Sequence, residues 1–159
     1  YVRAFNIDDV RAIFSMRVML ENFAAELIID QLNVDDYYRL NQLIDQQQFH
    51  IQQADFKQVR STDMAFHQYL INRGEHPLLM RNWQEIVAQV AAVLYVRADG
   101  YPNYDELQAI QDHRRILEAY QDHDLERLRA ENRRINQRVQ DECIQALEAI
   151  AVRGGKPKR

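Results

Sequence analysis

Glycine and proline are scarce in this chain, with four of one and three of the other. They cluster at Gly74, Pro77, Gly100 to Pro102 and the C-terminal tail. Outside those clusters there is little to interrupt a helix, and the rest reads as long helices joined by short turns. Strand-like alternation is absent beyond the first few residues. Cys143 is the lone cysteine, so an internal disulfide framework is excluded, a reducing cytosol fits, and the residue reads as a small core side chain. No apolar run reaches the roughly 20 residues needed to span a bilayer, and no signal-peptide pattern opens the chain. Nor is there a basic excess. With a formal net charge of −4, nothing suggests that this chain grips nucleic acid or an anionic membrane through a basic face. The first residue is Tyr1 rather than Met, and the expectation is a piece of a longer protein whose N-terminal portion lies elsewhere.

What is there is apolar side chain in quantity. At 159 residues and 47 % hydrophobic, the chain can bury one sizeable core, so one compact domain is expected. Asn6 with Asp9 forms a capping signature for a first helix running to about Gln31. Asn33 caps a second, to about Ala54, and a third covers about Asp55 to Asn72. A fourth starts near Pro77, a residue suited to a first helical turn, and ends near Asp99. After "DGYPNYDE" come a fifth helix to about Gln121 and a sixth from about Asp124 to Ile150. The run "DQQQFHIQQ" keeps helical spacing and reads as an exposed helix face, and "RGGKPKR" reads as a solvated tail. No internal repeat argues for a solenoid.

A helix buries positions three and four apart, so a polar residue on that stripe is informative. Along the first helix Arg17 and Glu21 interrupt a stripe that includes Val10, Ile13, Phe14, Ala24 and Ile28. In "STDMAFHQYLI", Asp63 and His67 interrupt Phe56, Val59, Phe66 and Leu70. His113 shares a face with Ile110, Leu117 and Tyr120, and Asn132 one with Leu125, Leu128, Ile135 and Val139. A buried carboxylate needs a cation, a donor or water, because leaving it unpaired costs several kcal/mol. Aspartate and imidazole one turn apart can reach one metal ion, with His113 on a facing helix as third ligand. The alternative is an Asp63–His67 hydrogen bond, with His113 a satisfied core histidine. Arg17 either pairs with Glu21 or binds an anion. His50 and His123 fall in polar stretches and His76 in a turn, which favours surface or capping roles. Trp83, Tyr95 and the phenylalanines read as core.

The order of these features resembles the FCD domain, the C-terminal effector-sensing domain of the FadR subfamily of GntR transcription regulators. "YVRAFNIDDVRAIFSMRVMLENFAAELI" is similar to the family's entry, with the end of the winged-helix wing, a linker and an R-x3-E first helix. "STDMAFHQYLI" matches the D-x3-H segment, "GEHPLL" the turn after it, and "DHRRILEAYQDHDLERLRA" the late helix-turn-helix. The resemblance implies an all-α, antiparallel bundle of about six to seven helices. Residues 1–6 would be the wing end and linker, 7–152 the effector-binding bundle and 153–159 a disordered tail. It implies a divalent metal ion (zinc, nickel or manganese) held by Asp63, His67 and His113. The family's fourth ligand, a histidine, falls on Ile135, which cannot ligate; Asn132 and Asn136 lie within a turn of it, and either amide oxygen is a weak substitute. The resemblance further implies a cytoplasmic, homodimeric regulator that reads operator DNA through a winged helix outside this chain. Its small-molecule effector, a carboxylate, would complete the metal shell and meet Arg17, Asn132 and Asn136. Two rivals stand beside this non-enzymatic reading. One is a metal-free interaction bundle, the other a 2-His-1-carboxylate iron enzyme, whose usual β-barrel this chain has no strands to build.

Overall fold

The computed structural model describes residues 4–154, which form six helices and, among the described residues, no strand. These are α1 (Ile7–Ile28), α2 (Val34–Gln52), α3 (Phe56–Arg73), α4 (Pro77–Gly100), α5 (Leu107–Gln121) and α6 (Leu125–Gly154). The helix count and all-α class agree with the sequence. Tyr1 to Arg3, most of the expected wing end, lie outside the described residues, as do residues 155–159 of the expected tail. Arg153 and Gly154, assigned to that tail from sequence, instead continue α6.

The starts of the helices follow from local chemistry. Asn6 and Asn33 each accept from the backbone N–H three residues on, at 2.8 and 3.0 Å, and Asp9 and Asp36 reciprocate, giving two full capping boxes. Asp55 caps α3 at Gln58, and the ring of His76 accepts from Leu79 N–H at 3.2 Å, with Pro77 at the first helical position of α4. Three turns put non-glycine residues at positive φ: Ala54, Glu75 and His123. His123 also lies within hydrogen-bond distance of Asp30, at 2.9 Å, and of the Ile29 carbonyl.

Helix α1 packs on α3, α4 and α6, while α2 packs on α3 and α5, and α6 lies against α1, α4 and α5. The main core includes Phe14, Leu40, Ile44, Phe66, Val93, Ile116 and Leu128, and a smaller one gathers Ala24, Ile71, Leu79 and Trp83. Gly100 marks a close approach of α4 to α6. A Cβ there would lie 2.4 Å from the Ala146 carbonyl oxygen, so only glycine lets the backbones meet. Cys143 is fully buried, and burial pushes its thiol up to about 12.

Several side chains depart from the sequence reading. Gln47, inside the glutamine run taken as an exposed face, is buried because it continues the Leu40, Leu43, Ile44 stripe. Tyr95, Phe23, Phe49 and Phe56, read as core, are exposed. Tyr95 instead lies under the Arg60 guanidinium.

Candidate functional site

Four of the inward polar residues, Arg17, Asp63, His67 and His113, converge on one cavity of about 50 Å³, room for a few waters or a small ion. Its lining includes Arg17 of α1, Gln47 of α2, Asp63 and His67 of α3, and His113 of α5. From α6 come Ile135, Arg138 and Glu142, and the segment joining α4 to α5 adds Tyr104, Asp105 and Glu106. Every wall except that last segment is helix, so most functional side chains sit on rigid elements.

At its centre, Asp63, His67 and His113 each offer one donor atom, all within 4.8 Å of one another. His113 Nε2 lies 3.1 Å from Asp63 Oδ1 and 3.2 Å from His67 Nε2. Asp63 therefore pairs with His113 across helices, and the Asp63–His67 hydrogen bond considered from sequence is not what forms. Gln47 Nε2 adds a longer contact to Asp63 Oδ1 at 3.4 Å. The histidines are buried, and the Asp63 side chain retains 20 % exposure. His113 also stacks on Phe66, with ring centroids 4.1 Å apart.

The electrostatics favour an ionised carboxylate beside a neutral imidazole. Burial alone would raise the Asp63 carboxyl, but the hydrogen bond from His113, with the positive charge of Arg17 beyond it, holds it far below the usual range. Burial pushes the His113 imidazole down, and Asp63 only partly offsets this. Those are the protonation states a metal ligand needs. The spacing fits as well. Ligand bonds of about 2.0–2.1 Å in a tetrahedron place donor atoms roughly 3.3 Å apart, close to the 3.1 and 3.2 Å that separate His113 Nε2 from its two partners.

Outside the triad, His67 Nδ1 faces Glu21 Oε2 at 3.4 Å, and Glu21 Oε1 accepts from Arg17 Nε at 2.7 Å. Arg17 and Glu21 therefore pair, while Arg17 also reaches the cavity. Burial opposes the charge on Glu21, yet Arg17 and His67 hold the carboxyl at about 2. Ile135 lies on the cavity wall, the place the resemblance gives to a fourth ligand. Asn132 and Asn136 are buried but do not line that cavity. Asn132 Nδ2 donates to Asn22 Oδ1 at 3.1 Å and Asn136 Nδ2 to the Asn132 carbonyl at 2.8 Å, while Asn136 Oδ1 has no hydrogen-bond partner among the described residues.

Sequence reasoning passed over a second layer of charge. Asp112 is buried, with Arg138 at 2.6 Å and Arg134 at 2.9 Å. Arg97 pairs with Glu142 at 2.9 Å and lies 4.0 Å over the Tyr104 ring. Burial raises the Glu106 carboxyl. Asp112 adjoins His113 and precedes Ile116 by one turn, a stripe position that the pattern contained.

A family model described as the FCD domain matches residues 12–138. Among solved structures, E. coli McbR/YncC superposes with a TM-score of 0.79 at 20 % sequence identity, over 91 % of this chain and 72 % of that one. At that identity the likeness shows a common fold. A search of curated proteins gave no match.

Proposed function

The chain belongs to the FCD domain family, and from that membership and its cavity we propose that it is the effector-sensing, dimerising domain of a bacterial GntR/FadR-type transcription regulator. The observation that carries the reading is the convergence of two imidazole nitrogens and one carboxylate oxygen at coordination spacing inside a small polar cavity. Asp63, His67 and His113 would hold a divalent ion such as zinc, nickel or manganese. Bound there, the ion supplies a Lewis-acidic position open to a carboxylate oxygen. Arg17, the one buried cation of α1 on the cavity, pairs with the remaining charge of a small carboxylate effector. Asn132 and Asn136 act from behind that wall, on Asn22 and Glu21. With Ile135 where a fourth ligand would stand, the protein supplies three donors and leaves the remainder to effector or water.

The rest of the reading concerns the whole regulator. A winged helix preceding this domain contacts operator DNA, and the domain pairs with a second copy in the cytoplasm. Support for the pairing comes from Met16, Met19 and Phe23, which leave one face of α1 apolar and exposed. Effector binding works as a switch if it favours one arrangement of the two copies over the other. Family membership favours this sensor over an oxygenase built on the same three donors.

The test is the metal content of protein purified without chelators or a metal affinity column, compared with His67→Ala. Near one divalent ion per chain, lost in the variant, is expected. No ion in either protein after soaking with zinc, nickel and manganese would remove the metal from the reading.

A further inference from the structure

Glu21 stands between two groups that the proposed site uses for different ends. Its Oε1 accepts from Arg17 Nε at 2.7 Å and from Asn136 Nδ2 at 3.4 Å, and its Oε2 faces His67 Nδ1 at 3.4 Å. His67 turns its other nitrogen, Nε2, toward His113. An imidazole that presents a bare nitrogen on one side carries its proton on the other, and a carboxylate facing that other nitrogen selects this tautomer. The second histidine has no such support, for His113 Nδ1 is buried without a hydrogen-bond partner among the described residues. Among the described residues, Glu21 is thus the one carboxylate outside the triad in hydrogen-bond reach of a triad histidine.

We propose that Glu21 is the positioning residue of this site, fixing the tautomer of His67 through one oxygen and the direction of Arg17 through the other. The metal part of this inference rests on reading Asp63, His67 and His113 as ligands. The tautomer part does not, because the Glu21–His67 contact exists without an ion. Glutamine at position 21 has a single acceptor oxygen. If Arg17 Nε takes it, the amide NH2 confronts His67 Nδ1, two donors face to face. His67 relieves the clash by moving its proton to Nε2, the nitrogen that must be bare to bind metal.

The experiment compares wild type with Glu21→Gln. Long-range 1H–15N spectra of the imidazoles are recorded after chelator treatment, and zinc affinity is measured by competition with a chromophoric chelator. Wild type is expected to carry the His67 proton on Nδ1 and the variant on Nε2, with zinc affinity lower by about 10–100-fold in the variant. A role confined to packing would leave the tautomer in place. An unchanged tautomer or an unchanged zinc affinity overturns the proposal. If wild type binds no zinc, the metal reading fails by itself and the tautomer comparison still decides the role of Glu21. Should the variant not fold, the wild-type spectrum suffices: a proton on Nδ1 supports the role, and a proton on Nε2 refutes it.

Discussion

Replacing His113 by phenylalanine separates the metal reading from the contribution of the ring to packing. The ring stacks on Phe66 at 4.1 Å and is almost fully buried, so alanine would open a cavity whose cost masks everything else. Phenylalanine keeps an aromatic ring against Phe66 and removes the nitrogens, at the cost of a slightly larger ring. Asp63 then loses its 3.1 Å partner and keeps the 3.4 Å contact to Gln47, a loss of about 1 kcal/mol for a half-buried acceptor that water can still reach. At about 2–4 °C per kcal/mol for a domain of this size, the metal-free variant should melt a few degrees below wild type. Metal gives a second signal of its own. An ion at about 100 times its Kd stabilises the folded state by about 2.7 kcal/mol, or roughly 5–11 °C. Thermal unfolding with zinc and with chelator should show that rise in wild type and none in His113→Phe. Equal rises in both proteins would place the ion elsewhere and refute the assignment of His113.

Two further outcomes follow from the packing and the charges. Gly100→Ala drives a Cβ to 2.4 Å from the Ala146 carbonyl, so α4 and α6 must separate; denaturant titration should show a loss of about 1–3 kcal/mol or more. Stability should also fall in acid. Glu21 is held at about 2 against an ordinary 4.5, and Asp63 and Asp36 are lowered too, Asp36 by Arg73, Asn33 and Tyr69 against the effect of burial. Depressed carboxyls stabilise the fold fully above their unfolded values and lose that contribution as pH falls toward the folded ones. From pH 7 to pH 3, Glu21 alone should account for about 2 kcal/mol in metal-free protein, and urea midpoints that stay constant across that range would contradict it.

Much of this architecture is legible in the sequence, because caps and turns are local. Asn6 with Asp9, Asn33 with Asp36, and Pro77 act within three or four residues of themselves. The inward placement of Arg17, Glu21, Asp63, His67, His113 and Asn132 followed from a stripe period that belongs to one helix at a time. Pairings between helices are another matter. That Asp63 meets His113, and not its helical neighbour His67, depends on where α5 lies against α3. Gln47 was misread because a run of like residues hid a stripe position, and Tyr95 because an aromatic ring can lie exposed with a guanidinium over its face. Asn132 and Asn136 were inward as expected, yet their direction along α6 carries them past the cavity.

Helix α6 has a mechanical consequence. At 1.5 Å per residue its 30 residues make a rod about 45 Å long. Ile135, Arg138, Val139 and Glu142, its cavity residues, lie near the midpoint. Displacement there acts on a lever with two arms. A tilt of about 4° would carry each end roughly 1.5 Å. The far arm, at Leu147 and Ala151, shares a surface groove with Phe5, Asn6 and Ile7, where the chain enters α1. A small tilt of α6 about its cavity residues would therefore shift the groove beside the start of α1 without any helix unfolding.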